Sequence, residues 1–354
     1  MFKIFIYVKN NNMKKYIYLI IILMIFSLNN LRSYPSLFNK QLLFYIFSFI
    51  IIVFIKKKFI FKYIKWLYWI VNGLLLYLLI FGSSINGIKA WINLGFISFQ
   101  PSEIMKFILI IYLNLIAVND KYLFKCFILT LIPSILTFLE PDTGNVIFYI
   151  IILLSVIFNK ERNNKRLLII SSVSILVIIL LIFSFINNKQ LFINIFGSNI
   201  VYRIERVTDF KNTYQLNMAL TGIGISSYLG KSNNVNVPEI TTDFSFTNII
   251  MSNGLIGVFT YLIINIVFNI FLINDLKNKN TLIKGIGISF ITMKLVQEFI
   301  HIFMNIGYLP ITGITLPFIS YGGSSILTYF LLISIFNYNM DNYSMVDSCS
   351  KELG

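Results

Sequence analysis

Residues 63–82 read YIKWLYWIVNGLLLYLLIFG, twenty positions with a single charge, Lys65, near the start. At 1.5 Å per residue a helix of this length spans about 30 Å, the thickness of a bilayer's hydrocarbon core. A soluble helix would set a polar, charged face opposite its apolar stripe, and this run has none. Working outward, the same ruler finds runs at 16–31, 41–55, 103–118, 122–139, 143–158, 167–186, 245–273, 283–307 and 320–339. The chain is therefore expected to be an all-α integral membrane protein with about ten transmembrane helices.

Composition points the same way. The 354 residues are 57% hydrophobic and 12% charged, against roughly 45–50% and about 25% in soluble domains. A net charge of +15 invites a nucleic-acid reading, but the lysines and arginines form no basic stripe with interleaved aromatics. They sit between the apolar runs, so membrane lipid, not nucleic acid, is the expected surrounding. With the N-terminus inside, inner segments carry 19 Lys and Arg and outer segments 8, the bias that places both termini in the cytoplasm. The expected organisation is a cytoplasmic N-terminus at 1–15, a polytopic membrane domain at 16–339 and a cytoplasmic tail at 340–354. Lys14 and Lys15 precede the first run as in a signal peptide, but no small-residue cleavage site follows, so it is read as a retained helix. Cys126 and Cys349 imply neither a disulfide framework nor a metal site.

One connection, 187–244, is long and lies outside. Such loops are uncommon unless functional or disordered, and Tyr202, Phe210, Tyr214, Leu216, Met218 and Tyr228 make this one too apolar for disorder. It is expected to pack as a cap or re-entrant segment at the outer surface.

Ionisable groups in or beside the membrane are costly, so each is a candidate site. Around the fourth run stand Lys89, Trp91, Gln100-Pro101-Ser102-Glu103 and Lys106, with Glu103 and Lys106 spaced to pair on one helix face. A capped helix with an internal ion pair and a substrate contact are about equally good readings. Glu140-Pro141-Asp142 follows, where capping of a helix starting near Thr143 is the plainer account. In the ninth run Lys294, Glu298 and His301 share a face that must look into the bundle or a hydrated cavity. The outer loop holds Arg203, Arg206 and Lys211, then Pro238-Glu239 and Thr242-Asp243-Phe244. Arginine suits phosphate because its planar fork bonds two oxygens, and a nearby carboxylate could take a proton. A loop held by its own ion pairs is the slightly better account of these residues. Finally, Leu316-Pro317-Phe318-Ile319-Ser320-Tyr321-Gly322-Gly323-Ser324-Ser325 signals irregular backbone inside the membrane, tolerated only where protein or a cavity covers its polar groups.

At these places the chain resembles the SEDS family (shape, elongation, division and sporulation), with members RodA, FtsW and SpoVE. The matches run in order: Lys89-Ala90-Trp91-Ile92-Asn93-Leu94-Gly95 with Gln100-Pro101-Ser102-Glu103 and Lys106, Pro141-Asp142 with Gly144, Tyr214-Gln215, Pro238-Glu239 with Thr242-Asp243-Phe244, and Leu309-Pro310-Ile311-Thr312-Gly313 leading into the 316–325 stretch. The resemblance implies a peptidoglycan glycosyltransferase that polymerises lipid II at the outer face of the cytoplasmic membrane, beside a class B penicillin-binding protein. It implies Asp243 as the essential acid and Trp91 as a functional tryptophan, with Lys106, Arg203 and Glu239 lining a central cavity. Arg206, Ser320 and Tyr321 join them as expected substrate contacts. No cofactor is specified, though a divalent cation could share the pyrophosphate charge. Two departures stand out. Met251-Ser252-Asn253-Gly254 occupies the place of the family's glutamate pair, and the family's Asn-Ile-Gly in the ninth run falls at His301-Ile302-Phe303. A lipid-precursor flippase or a non-catalytic scaffold would use the same cavity without needing Asp243 as a base.

Overall fold

The computed structural model describes residues 11–82, 90–93, 95, 98–119, 122–160, 210–230 and 235–338. The expected run at 167–186, with Lys89, Arg203 and Arg206 and the tail from 340, lies outside the described residues. Along the chain come α1 (Asn11–Asn30), α2 (Pro35–Phe54), α3 (Lys57–Phe81), β1 (Ile92–Asn93), β2 (Ser98–Phe99), α4 (Pro101–Ile116), α5 (Tyr122–Leu139) and α6 (Thr143–Lys160). Then follow α7 (Tyr214–Ile225), α8 (Ser245–Asp275), α9 (Thr281–Asn305) and α10 (Gly323–Phe336). Six of these, α2, α3, α5, α6, α8 and α9, are long and apolar enough to cross a bilayer, and two shorter apolar helices lie at 15–30 and 323–336.

The helix ends follow local chemistry. Pro101 opens α4, where its missing N–H costs nothing, and Asn280 caps α9 by accepting from the Ile283 amide at 2.9 Å. Outward faces carry Trp66, Phe81, Phe124 and Phe259 exposed, an inversion of soluble patterning that suits lipid. At the centre stands α4, whose every residue except Ile104 is buried. It packs against α3, α5, α6, α9 and α10.

Two interruptions shape the end of the bundle that holds the site. In α8 the helix breaks at Gly254 (φ 63°). A Cβ there would lie 2.2 Å from the Tyr228 carbonyl oxygen, so only glycine lets the 227–230 turn come this close. Between α9 and α10, residues 306–322 run as irregular backbone, and side chains satisfy its polar groups. The Tyr45 hydroxyl donates to the Phe318 carbonyl at 2.6 Å, Ser27 to the Ile319 carbonyl at 2.8 Å, and Gln41 to the Ser320 carbonyl at 3.2 Å. Protein thus covers this backbone, as the membrane requires.

Candidate active site

Three chain segments converge on a polar cavity of about 540 Å³. The β1–β2 hairpin and the start of α4 supply Trp91, Asn93, Gln100 and Glu103. The turn before α8 supplies Glu239, Thr242 and Asp243, and the irregular stretch supplies Thr312, Gly313, Thr315 and Tyr321. Lys40 of α2, Gln215 of α7 and Pro141-Asp142 complete the wall.

The Asp243 turn is held through its backbone, and Asp243 lines the cavity. The Tyr321 amide donates to the Thr241 carbonyl at 2.8 Å, the Ser320 hydroxyl to the Thr242 carbonyl at 2.8 Å, and the Asn305 amide to the Asp243 carbonyl at 3.0 Å. Across the cavity Gly313 (φ 69°) passes so close that a Cβ there would stand 3.8 Å from an Asp243 carboxylate oxygen. Within the turn, Glu239 is itself in the left-handed region at φ 54°, and its carboxylate accepts from the Thr242 hydroxyl at 2.9 Å. Strained non-glycine backbone of this kind persists where surrounding structure over-determines it, commonly at functional sites.

The predicted residues divide by depth. Trp91, Glu239, Asp243 and Tyr321 face the cavity. Lys106 is fully buried one turn behind, paired with Glu103 at 2.8 Å and 5.0 Å from the Phe148 ring centroid. Glu103, not Lys106, touches the cavity. Ser320 is also buried, accepting from the Leu316 amide at 2.7 Å and lying 2.7 Å from the Ser245 hydroxyl. Its hydroxyl joins the irregular stretch to the Asp243 turn.

Asp142 caps α6 by accepting from the Asn145 amide at 3.3 Å, and also accepts from Gln100 and Ser102, each at 2.8 Å. The polar face of α9 is structural as well. Lys294 pairs with Glu298 and donates to Asn265 and Asn269 of α8 at 2.7 and 2.8 Å. His301 lies 2.6 Å through Nδ1 from the Ile314 carbonyl and 3.1 Å through Nε2 from Ser245.

Lys40 and Asn305 were not singled out from sequence. Lys40 looked like an ordinary outer-segment lysine. Asn305 begins an Asn305-Ile306-Gly307 triplet, in which Gly307 turns with φ 80°. Where the family carries its glutamate pair, Ser252 and Asn253 donate to the Asn30 side-chain oxygen at 3.1 and 2.7 Å. Neutral groups there fasten α8 to α1. Among the described residues no three His, Cys, Asp or Glu side chains are grouped to hold a metal ion.

Fold and cavity together define a multi-pass membrane protein with a carboxylate-bearing pocket at one end of its helix bundle. The chain belongs to the FtsW/RodA/SpoVE family of cell cycle proteins, whose model matches residues 4–344. It is 32% identical over 306 residues to a probable peptidoglycan glycosyltransferase FtsW of Wigglesworthia glossinidia brevipalpis, covering 74% of this chain and 72% of the relative. It is also 32% identical over 330 residues to that of Buchnera aphidicola from Acyrthosiphon pisum, covering 83% and 77%. In fold it matches a chain from a study of polymerization and crosslinking by a peptidoglycan synthase complex, with a TM-score of 0.74 at 22% identity, covering 92% of this chain and 97% of the other. The crystal structure of Thermus thermophilus RodA matches with a TM-score of 0.65 at 22% identity, covering 90% and 93%.

Proposed function

We propose that this protein is a peptidoglycan glycosyltransferase that polymerises lipid II at the outer face of the cytoplasmic membrane, with both termini in the cytoplasm. The names of its relatives support the activity, and the single observation that carries the mechanism is the Asp243 carboxylate in the wall of the polar cavity. The 4-hydroxyl of one GlcNAc attacks the anomeric carbon of MurNAc on the growing chain. The bond from that carbon to the pyrophosphate oxygen breaks, and undecaprenyl pyrophosphate leaves with the electron pair. The hydroxyl proton passes to Asp243 as general base. Trp91 and Tyr321 offer ring faces to sugar, and Glu239 orients the turn through Thr242. Lys40, with Arg203 and Arg206 of the outer loop, supplies cationic charge for the leaving pyrophosphate. Lys106 acts one layer behind by pairing with Glu103. Any divalent cation would be held chiefly by the pyrophosphate. A class B penicillin-binding protein is the expected partner, since polymerised strands need cross-linking.

The competing readings, a flippase or a scaffold, need no base. Asn has nearly the shape of Asp and cannot take the proton, and loss of a general base costs about 10²–10⁴ in rate. Purified Asp243→Asn should therefore fail to polymerise labelled lipid II while folding and binding it normally. Polymerisation near the normal rate would move the base elsewhere, with Glu239 tested next.

A further inference from the structure

At the opposite end of the bundle, the end bearing the start of α1 and the close of α10, lies a groove the proposed chemistry does not use. It has a volume of about 270 Å³ and runs between α1, α2 and α10, lined by Tyr16, Ile17, Met24, Ile46, Phe49 and Ile333. Ile46 is well exposed at 48%, so the groove opens sideways towards lipid.

Near Tyr16 three ammonium groups are arranged on aromatic rings. Lys279 stands 5.2 Å from the Phe336 ring centroid, Lys57 stands 5.7 Å from that of Tyr338, and Lys15 stands 5.2 Å from that of Tyr16. The Tyr16 and Phe336 rings are themselves 6.4 Å apart, so Tyr16 connects the groove's lining to the lysine cluster. Asp275 is taken up by Lys15 and by the Tyr16 hydroxyl, the latter at 2.6 Å. Lys57 and Lys279 feel each other's charge. Burial lowers the Lys279 pKa; Asp275 opposes that shift and Lys15 adds to it. An apolar slot next to clustered lysines matches one kind of molecule, a phosphate-bearing headgroup on a hydrocarbon chain. Basic pockets between transmembrane helices on the cytoplasmic side hold such headgroups.

We propose that an anionic glycerophospholipid binds here, its headgroup phosphate on Lys57 and Lys279 and one acyl chain in the α1–α2–α10 groove. The site is independent of the glycosyltransferase reading and shares no lining residue with the polar cavity. Bound there, the lipid would join α1, α2 and α10 at the end remote from the cavity.

The test uses the purified full chain in mixed micelles, with bound lipids counted by native mass spectrometry. One phosphatidylglycerol should be retained in preference to phosphatidylcholine. Lys57→Gln with Lys279→Gln should lower that retention by about thirtyfold, the effect expected of two surface lysines. Ile46→Trp, which fills the groove and spares the lysines, should lower retention of both lipids. Excess glycerol 3-phosphate should leave the bound lipid in place, because the chain supplies much of the affinity. Three results would each overturn the proposal: equal retention of the two lipids, a double variant that holds phosphatidylglycerol like the wild type, or displacement by glycerol 3-phosphate alone. Should the double variant not fold, the lipid preference and Ile46→Trp decide it between them.

Discussion

Glu140 closes α5 fully buried, and neither of its carboxylate oxygens accepts a hydrogen bond among the described residues. Burial, with the Asp142 charge adding to it, lifts its pKa from 4.5 to about 8. Between those values the folded protein holds a proton that the unfolded chain has released. Stability from this group is therefore whole below pH 4.5 and is lost as the pH climbs through about 8. Glu140→Gln keeps the shape without the charge, so its melting temperature should pull ahead of the wild type between pH 5 and pH 8.5. Thermal unfolding of both proteins across that window checks this, and parallel curves would refute it. From sequence, Glu140 was one of two carboxylates in a proline turn, with helix capping the plainer account of the pair. Its neighbour Asp142 proved to be the cap, because Asn145 sits one helical turn on. Nothing local distinguishes a solvated Glu140 from a buried one; that is decided by what packs over the turn.

At the scale of elements, α9 shows how a polar face can hold helices together inside a membrane. Lys294, Gln297, Glu298, His301 and Asn305 recur along one side, and each reaches a partner on α8, α10 or the irregular 306–322 stretch. Pairing of Lys294 with Glu298 was legible from their spacing of four. That Asn265 and Asn269 join them was not, because those residues lie on another helix. Glu298→Gln should leave Lys294 buried without a counter-charge, at a cost of about 3–5 kcal/mol. Folding yield in detergent should therefore fall while activity per folded molecule holds. Normal yield with lost turnover would instead place Glu298 in the mechanism. The Leu316–Gly322 part of the next stretch was likewise readable as irregular backbone, since Pro317 and the paired glycines disfavour a continuous helix, while Gly323–Ser325 open α10. Its coverage by Ser27, Gln41 and Tyr45 was not readable, these being polar residues scattered in otherwise ordinary apolar runs.

For the whole molecule, the test of orientation is chemical labelling. Lys211 is exposed beside α7, and Cys126 is buried. An impermeant thiol reagent on intact cells should label Lys211→Cys and leave Cys349 protected; the reverse would invert the proposed topology and the outer-face site with it. Membrane residence was determined by sequence alone, because about 20 consecutive apolar residues suffice to make a helix prefer hydrocarbon, and that property needs no partner. Each of the nine expected runs within the described residues coincides with a helix of the fold. Asp243, Glu239, Trp91 and Tyr321, which line the cavity, stand in motifs whose order along the chain resembles the family's. Tertiary structure alone decided which of the polar residues face the cavity and which hold it in shape. Lys106 and Ser320 were expected to meet substrate and instead stand behind the wall, while Lys40, unremarked in sequence, stands in it. The reason is physical: an ion pair or a hydrogen bond between residues hundreds of positions apart leaves no local pattern, and whether a side chain faces a cavity depends on helices that meet only in the folded bundle.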